Sequence, residues 1–157
     1  MRYFVDAQFN GFGGELVSLA AVPEAGDAPP FYEAIGCSRP VMSVRVNVIP
    51  VLHVKPRSWG EVAHLFSRYL ESDPDPVIVS DWPEDIAHAA MLLTDHRGGR
   101  LNASPVRFEL LAATDFRSEN HSELPHNAYH DAVALKKWTL AREAQVVPFP
   151  GKAARAV

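Results

Sequence analysis

One short stretch near the start constrains this chain more than any other: an acid and an amide set two residues apart in an apolar β-type run, Tyr3-Phe-Val-Asp6-Ala-Gln8-Phe9. Successive strand side chains point to opposite faces, so Asp6 and Gln8 share one face. A carboxylate at the end of a buried strand is costly unless it meets a cation, which makes Asp6 a natural anchor for a metal site assembled from distant segments. Glutamate at position 8 would complete an acidic pair. Glutamine keeps that shape but drops the charge and replaces one oxygen with a donor nitrogen.

At 157 residues the chain suits one compact domain with a substantial core. We expect that domain over 1–147, followed by a loose tail over 148–157, where Pro-Phe-Pro-Gly leads into small and basic residues. A net charge of −4 argues against a broad electrostatic footprint for nucleic acid, so any phosphate substrate would have to be held by metals. The single cysteine, Cys37, excludes an internal disulfide and a multi-thiolate zinc site. No apolar run approaches the roughly 18 residues of a membrane span, and Asp6 interrupts the apolar N-terminus, so neither a membrane nor export is expected and the cytoplasm is the default compartment.

Arg2 to Ala7 and Glu15 to Val22 both read as strands, joined by the permissive Asn10-Gly-Phe-Gly-Gly14, and should pair antiparallel. Phe31 to Ile35 adds a third short strand. Val41 to Leu52, interrupted by Pro50, fits either an irregular helix or an extended run. Ser58 and Glu61 form an S-x-x-E capping box ahead of Val62, Leu65, Phe66, Tyr69 and Leu70 at helical spacing. Val77 to Ser80 suits a buried strand, after which Asp81 could cap a helix from about Pro83 to Leu93. Val106 to Ala113 reads as another strand, Thr114 to Pro125 as a polar, mobile segment, and Asn127 to Glu143 as the last helix. The expected class is α/β: an antiparallel meander followed by alternating strands and helices, making a mixed sheet flanked by helices. Such sheets place ligands beyond strand ends.

Four positions then fall at comparable places: Asp6 and Gln8 on the first strand, Asp85 after the Val77 strand, and Asp131 early in the last helix. Hard ions such as Mg²⁺ and Mn²⁺ take oxygen ligands from a few carboxylates and leave positions for water and phosphate. Each residue also has a plainer reading. Asp6 alone suits a turn or cap, Asp85 a helix first turn, and His126, one of seven histidines, a polar loop after Pro125.

Order and spacing together resemble the DEDD superfamily of 3′-to-5′ exonucleases on the ribonuclease H-like fold, in the subgroup whose last motif contains histidine. Phe4-Val-Asp6-Ala-Gln8-Phe9 resembles the first motif, normally D-x-E. Val77-Ile-Val-Ser-Asp-Trp-Pro-Glu-Asp85 resembles the second, with Asp81 as N-cap or backup ligand. His126-Asn-Ala-Tyr-His-Asp131 matches H-x-x-x-x-D at the opening of the last helix. The overall look is similar to compact bacterial exoribonucleases of this group. Trp82, Phe9, Asn10 and Phe12 fall where such proteins contact the terminal nucleotide, although a helix anchor and hairpin packing explain them as well. Tyr129, His130 and His88 read as ordinary helix residues.

The resemblance implies a metal-dependent 3′-to-5′ exoribonuclease releasing nucleoside 5′-monophosphates. Two Mg²⁺ or Mn²⁺ ions would be held by Asp6, Gln8, Asp85 and Asp131, with His126 taking the proton of the attacking water. Its partner would be a single-stranded 3′ end, RNA favoured over DNA, and a homodimer is compatible with so short a chain. Gln8 is expected to weaken the site or silence it, because a neutral amide cannot bridge two cations as glutamate does. The rival reading is a non-catalytic nucleic-acid-binding or interaction module on the same fold.

Overall fold

A computed structural model describes residues 1–26, 28–95, 97–101 and 105–145; the tail expected over 148–157 lies outside the described residues. Five strands form one mixed sheet in the order β3-β2-β1-β4-β5. Strands β1 (Arg2–Phe9), β2 (Leu16–Pro23) and β3 (Phe31–Ala34) are the antiparallel meander, while β4 (Val77–Ser80) and β5 (Arg107–Leu110) run parallel to β1. Helices α1 (Trp59–Glu71), α2 (Pro83–Met91), the single turn α3 (Ser118–His121) and α4 (Ala128–Gln145) complete the fold.

Alternation along β1 sorts its side chains between two layers. Tyr3, Val5 and Ala7 pack with Val62, Phe66 and Leu70 of α1 and with Ala89 of α2. Phe4 faces the other way, onto Val79, Phe116, Ala134 and Leu135. Asp6 and Gln8 share Phe4's side of the strand, towards α4. There Ala20 of β2 meets Ala128 and Ala132 of α4. Small residues at that contact let the helix approach the sheet closely, which brings Asp131 up to the strand.

Local chemistry explains the element ends. Ser58 caps α1 as its motif predicts: its hydroxyl accepts from the Glu61 N–H (3.3 Å) while the Glu61 carboxylate accepts from the Ser58 N–H (2.9 Å). The segment around Pro50 is a π-helical turn over Val44–Val48 followed by a 3₁₀ turn over Ile49–Val51. Val44, Val48 and Leu52 are buried against Val17 and Ala34, and Pro50, lacking an N–H, stops the wider turn. Strand β5 is shorter than the Val106 to Ala113 run because its partner β4 offers four residues to pair with. The polar segment after it is pinned by Phe116, 3% exposed, which stacks on His121 and tilts against Trp138.

Chain order reverses between β1 and β4: the meander grows to one side of β1, and β4 and β5 lie on the other. Ligand crevices of open α/β sheets form at such a point, beyond the carboxyl ends of the strands. No helix among the described residues is long and apolar enough to cross a membrane.

Candidate functional site

A cleft of about 440 Å³ opens at that reversal, lined by Asp6, Gln8 and Phe9 of β1, Asp81 and Trp82 of the β4–α2 turn, Asp85 of α2, and Phe116 to Glu119. Register places these groups. Phe4 pairs with Val79, so the chain leaving Ser80 turns beside Asp6 and α2 starts over the strand end. Asp85, in the first turn of α2, reaches back and accepts from the Ala7 N–H (3.3 Å) and the Ser80 hydroxyl (2.8 Å). The Ser80 hydroxyl also accepts from the Trp82 N–H (3.2 Å), so one buried serine fixes the turn and the acid together.

Gln8 joins the strand to α4. Its side-chain nitrogen donates to Asp6 Oδ2 (2.9 Å) and to Asp131 Oδ2 (3.3 Å). Asp131 Oδ2 also accepts from the His126 N–H (3.0 Å). The other oxygen of Asp131 is buried with no hydrogen-bond partner, in a residue only 2% exposed. The Ser122 hydroxyl, itself buried with no bond of good geometry, is the neighbouring donor, and it lowers the Asp131 carboxyl against the effect of burial.

Three acids from distant segments thus crowd one region, and their titration reflects it. Burial raises the Asp6 carboxyl well above its ordinary range, and the charges of Asp85 and Asp131 raise it further, against the lowering effect of the Gln8 hydrogen bond. Asp85 is pushed up to about 8, chiefly by burial and then by Asp81 and Glu84, although Ser80 and the Ala7 N–H favour its charged form. Asp131 is raised by burial as well.

Asp6, Gln8 and Asp85 therefore line one cleft, and Asp131 is tied to it through Gln8. His126 enters differently. Its backbone lies in the left-handed region (φ 67°), and it is its N–H, not its imidazole, that bonds to the site. Histidine is among the residues that tolerate this conformation best. Asp81 is not the cap of α2: Pro83 takes the first helical position, so Trp82 stands at the N-cap and supplies no side-chain bond. Asp81 instead lines the cleft, its carboxyl raised by burial and lowered by nearby Arg117.

The aromatic candidates separate. Phe9 stacks on His88 with ring centroids 5.3 Å apart and belongs to the packing. Asn10 pins the loop, donating to the Arg39 carbonyl (3.0 Å) and accepting from the Val41 N–H (2.8 Å). Phe12 is 94% exposed, so hairpin packing does not account for it, while Trp82, 52% exposed at the N-cap of α2, is about half buried, as a helix anchor would be. Both border an apolar recess beside the cleft. At the hairpin tip the Gly13 N–H donates to Glu84 Oε1 of α2 (2.6 Å).

Three contributors escape the sequence reading. Ser80 is one. Asn127 is another: its side-chain oxygen accepts from the N–H groups of Tyr129 (3.0 Å) and His130 (3.3 Å), capping α4, while its nitrogen donates to the Val51 carbonyl (2.6 Å) and Tyr32 Oη (3.1 Å). Asparagine just before a helix is a recognisable cap signal. The third is Arg117, the one cation among the described residues lining the cleft, whose guanidinium donates to the carbonyls of Phe116 (2.7 Å) and Thr114 (3.2 Å). Nothing in its local sequence marks it.

Among the described residues, no group of three or more His, Cys, Asp or Glu side chains is set to hold a metal ion. The site offers instead two carboxylates bridged by an amide, one of them with a buried oxygen that makes no hydrogen bond of good geometry. That donor set fits a single hard ion, since Mg²⁺ is commonly held by one or two carboxylates while keeping most of its waters for substrate phosphate. No protein-family model matches the chain, and no curated protein matches it.

Proposed function

We propose that this cleft takes the 3′ end of a single-stranded nucleic acid, RNA in preference to DNA, and hydrolyses its terminal phosphodiester slowly with a divalent ion. The scaffold in this reading is ribonuclease H-like and the protein an attenuated relative of the DEDDh exonucleases. One observation carries it: Asp6 of the first strand and Asp131 of the last helix meet across the Gln8 amide, with Asp85 of the second helix held on the adjacent Ala7 N–H, at the strand-order reversal.

Asp6 and Asp131 would hold the ion, with Gln8 contributing its oxygen in place of a third charge. When bound, the ion supplies Lewis-acid activation of water and neutralises phosphate charge. Asp85, held by Ser80 and the Ala7 N–H, keeps the floor of the cleft fixed. Arg117 offers the cleft a guanidinium for a phosphate oxygen, which matters where every other charged lining residue is acidic. Trp82 presents an exposed ring to a base. His126, whose backbone N–H holds Asp131, would in this reading offer its imidazole as the base for the attacking water.

The amide between the carboxylates also favours a second reading, in which the cleft binds a strand end and does not cut it. A 5′-labelled RNA oligonucleotide incubated with Mg²⁺ or Mn²⁺ separates the two. The hydrolytic reading expects slow shortening from the 3′ end, accelerated in Gln8→Glu and lost in Asp131→Ala. Binding with no shortening in the wild type or in Gln8→Glu overturns hydrolysis and leaves the binding module. Neither binding nor shortening removes both.

A further inference from the structure

We infer that Gln8 is an internal stand-in for a cation, and that its amide turns over when one divalent ion enters the site. Two carboxylates, one from β1 and one from α4, direct Oδ2 atoms at a single nitrogen, 2.9 Å and 3.3 Å away. The primary amide has two hydrogens, one for each. The bridge thereby does what a bound ion does elsewhere: it lets two acceptor-only groups meet out of water. Glutamate at this position has no donor to give, so the same backbone would bring one more carboxylate into the cluster and depend on cations to assemble.

Turning the terminal amide by half a revolution exchanges nitrogen for oxygen at almost unchanged shape. That turn sacrifices both hydrogen bonds and aims an oxygen at Asp6 and Asp131, so it is favourable only when something positive satisfies all three. Asp131 Oδ1, buried with no bond of good geometry and only the Ser122 hydroxyl acting on its carboxylate, is the oxygen such a charge would engage, while Oδ2 keeps the His126 N–H in either state. Amide bridge and ion are therefore mutually exclusive. Asp85, with one hydrogen bond already on each oxygen and its carboxyl fixed by Ala7 and Ser80, is the poorer ligand for a second ion. The site is assembled when empty and takes one ion at most. The inference rests on the proposed reading only in naming a divalent ion as the ligand.

The test uses the full chain without nucleic acid. In EDTA, the side-chain amide protons of Gln8, assigned by their loss in Gln8→Glu, should be shifted from free glutamine and slow to exchange. Mg²⁺ should move them towards ordinary values with several-fold faster exchange. Wild-type protein should melt at the same temperature in EDTA and in untreated buffer. Gln8→Glu should melt about 5 °C lower in EDTA and recover with Mn²⁺. Calorimetric titration should count one Mn²⁺ per wild-type chain and more in Gln8→Glu.

Freely exchanging Gln8 amide protons in EDTA, or a wild type that melts early without metal, would overturn the bridge. Two ions in the wild type, or an amide indifferent to Mg²⁺ and Mn²⁺, would overturn the turnover. If Gln8→Glu fails to fold even with Mn²⁺, Gln8→Ala supplies the assignment, and the wild-type exchange and stoichiometry decide. Because no strand is present, failure of the cleavage assay leaves these results intact, and the converse holds.

Discussion

The two faces of β1 are built from alternate residues of one strand and obey opposite rules. Towards α1 and α2, Tyr3, Val5 and Ala7 meet Phe66, Leu70 and Leu92 in a dry core. Towards α4, Phe4 begins the same way, but Asp6 and Gln8 replace apolar packing with carboxylates and an amide. Residues on the first face should therefore register in stability, and residues on the second in what the protein binds.

The largest effect belongs to the dry face. Phe66→Ala should cost about 3–5 kcal/mol in denaturant unfolding, because a fully buried ring leaves a cavity, while Mn²⁺ affinity of the folded fraction stays unchanged. A change in ion binding there would break the division between faces. On the polar face the sign of the pH response is informative. Asp85 titrates near 8 when folded and near 4 when unfolded, so the native state holds its proton more tightly. Stability from that proton is complete below about pH 4 and is lost as pH rises towards 8. Melting of the metal-free protein should fall across that window, and Asp85→Asn should flatten the fall.

Ser80→Ala should cost about 1–3 kcal/mol, since it removes the donor to Asp85 and the acceptor for Trp82. Asp131→Asn should move the other way, stabilising metal-free protein by about 1 kcal/mol through relief of crowding while abolishing Mn²⁺ binding; a loss of stability there would mean the acids are not in conflict. Smallest in stability is Arg117→Ala, within about 0.5 kcal/mol of wild type. Its effect should appear as weaker oligonucleotide binding with a shallower salt dependence, measured by fluorescence anisotropy.

Strand periodicity made the shared face of Asp6 and Gln8 readable before any coordinates, and the Ser58–Glu61 motif announced α1. Both depend on residues close in the chain. Ser80 was hidden because a hydroxyl ending the run Val77-Ile-Val-Ser80 looks like strand, and its role exists only once Asp85 folds back over it. The cap of α2 was misplaced by one residue: Pro83 in first helical position assigns the N-cap to Trp82 and frees Asp81 to face the cleft. The turns around Pro50 combine two helical pitches in eight residues, so no single period describes them. Arg117 could not be found locally, since its position comes from Phe116 anchoring a polar segment across the sheet.

The bond from the Gly13 N–H to Glu84 has a mechanical consequence. It tethers the glycine-rich tip of the first hairpin to the same helix that carries Asp85, one residue further on. The hairpin tip beside Phe12 and the first turn of α2 are thereby held as one unit, and Glu84→Ala should free the tip to move without the helix that carries Asp85.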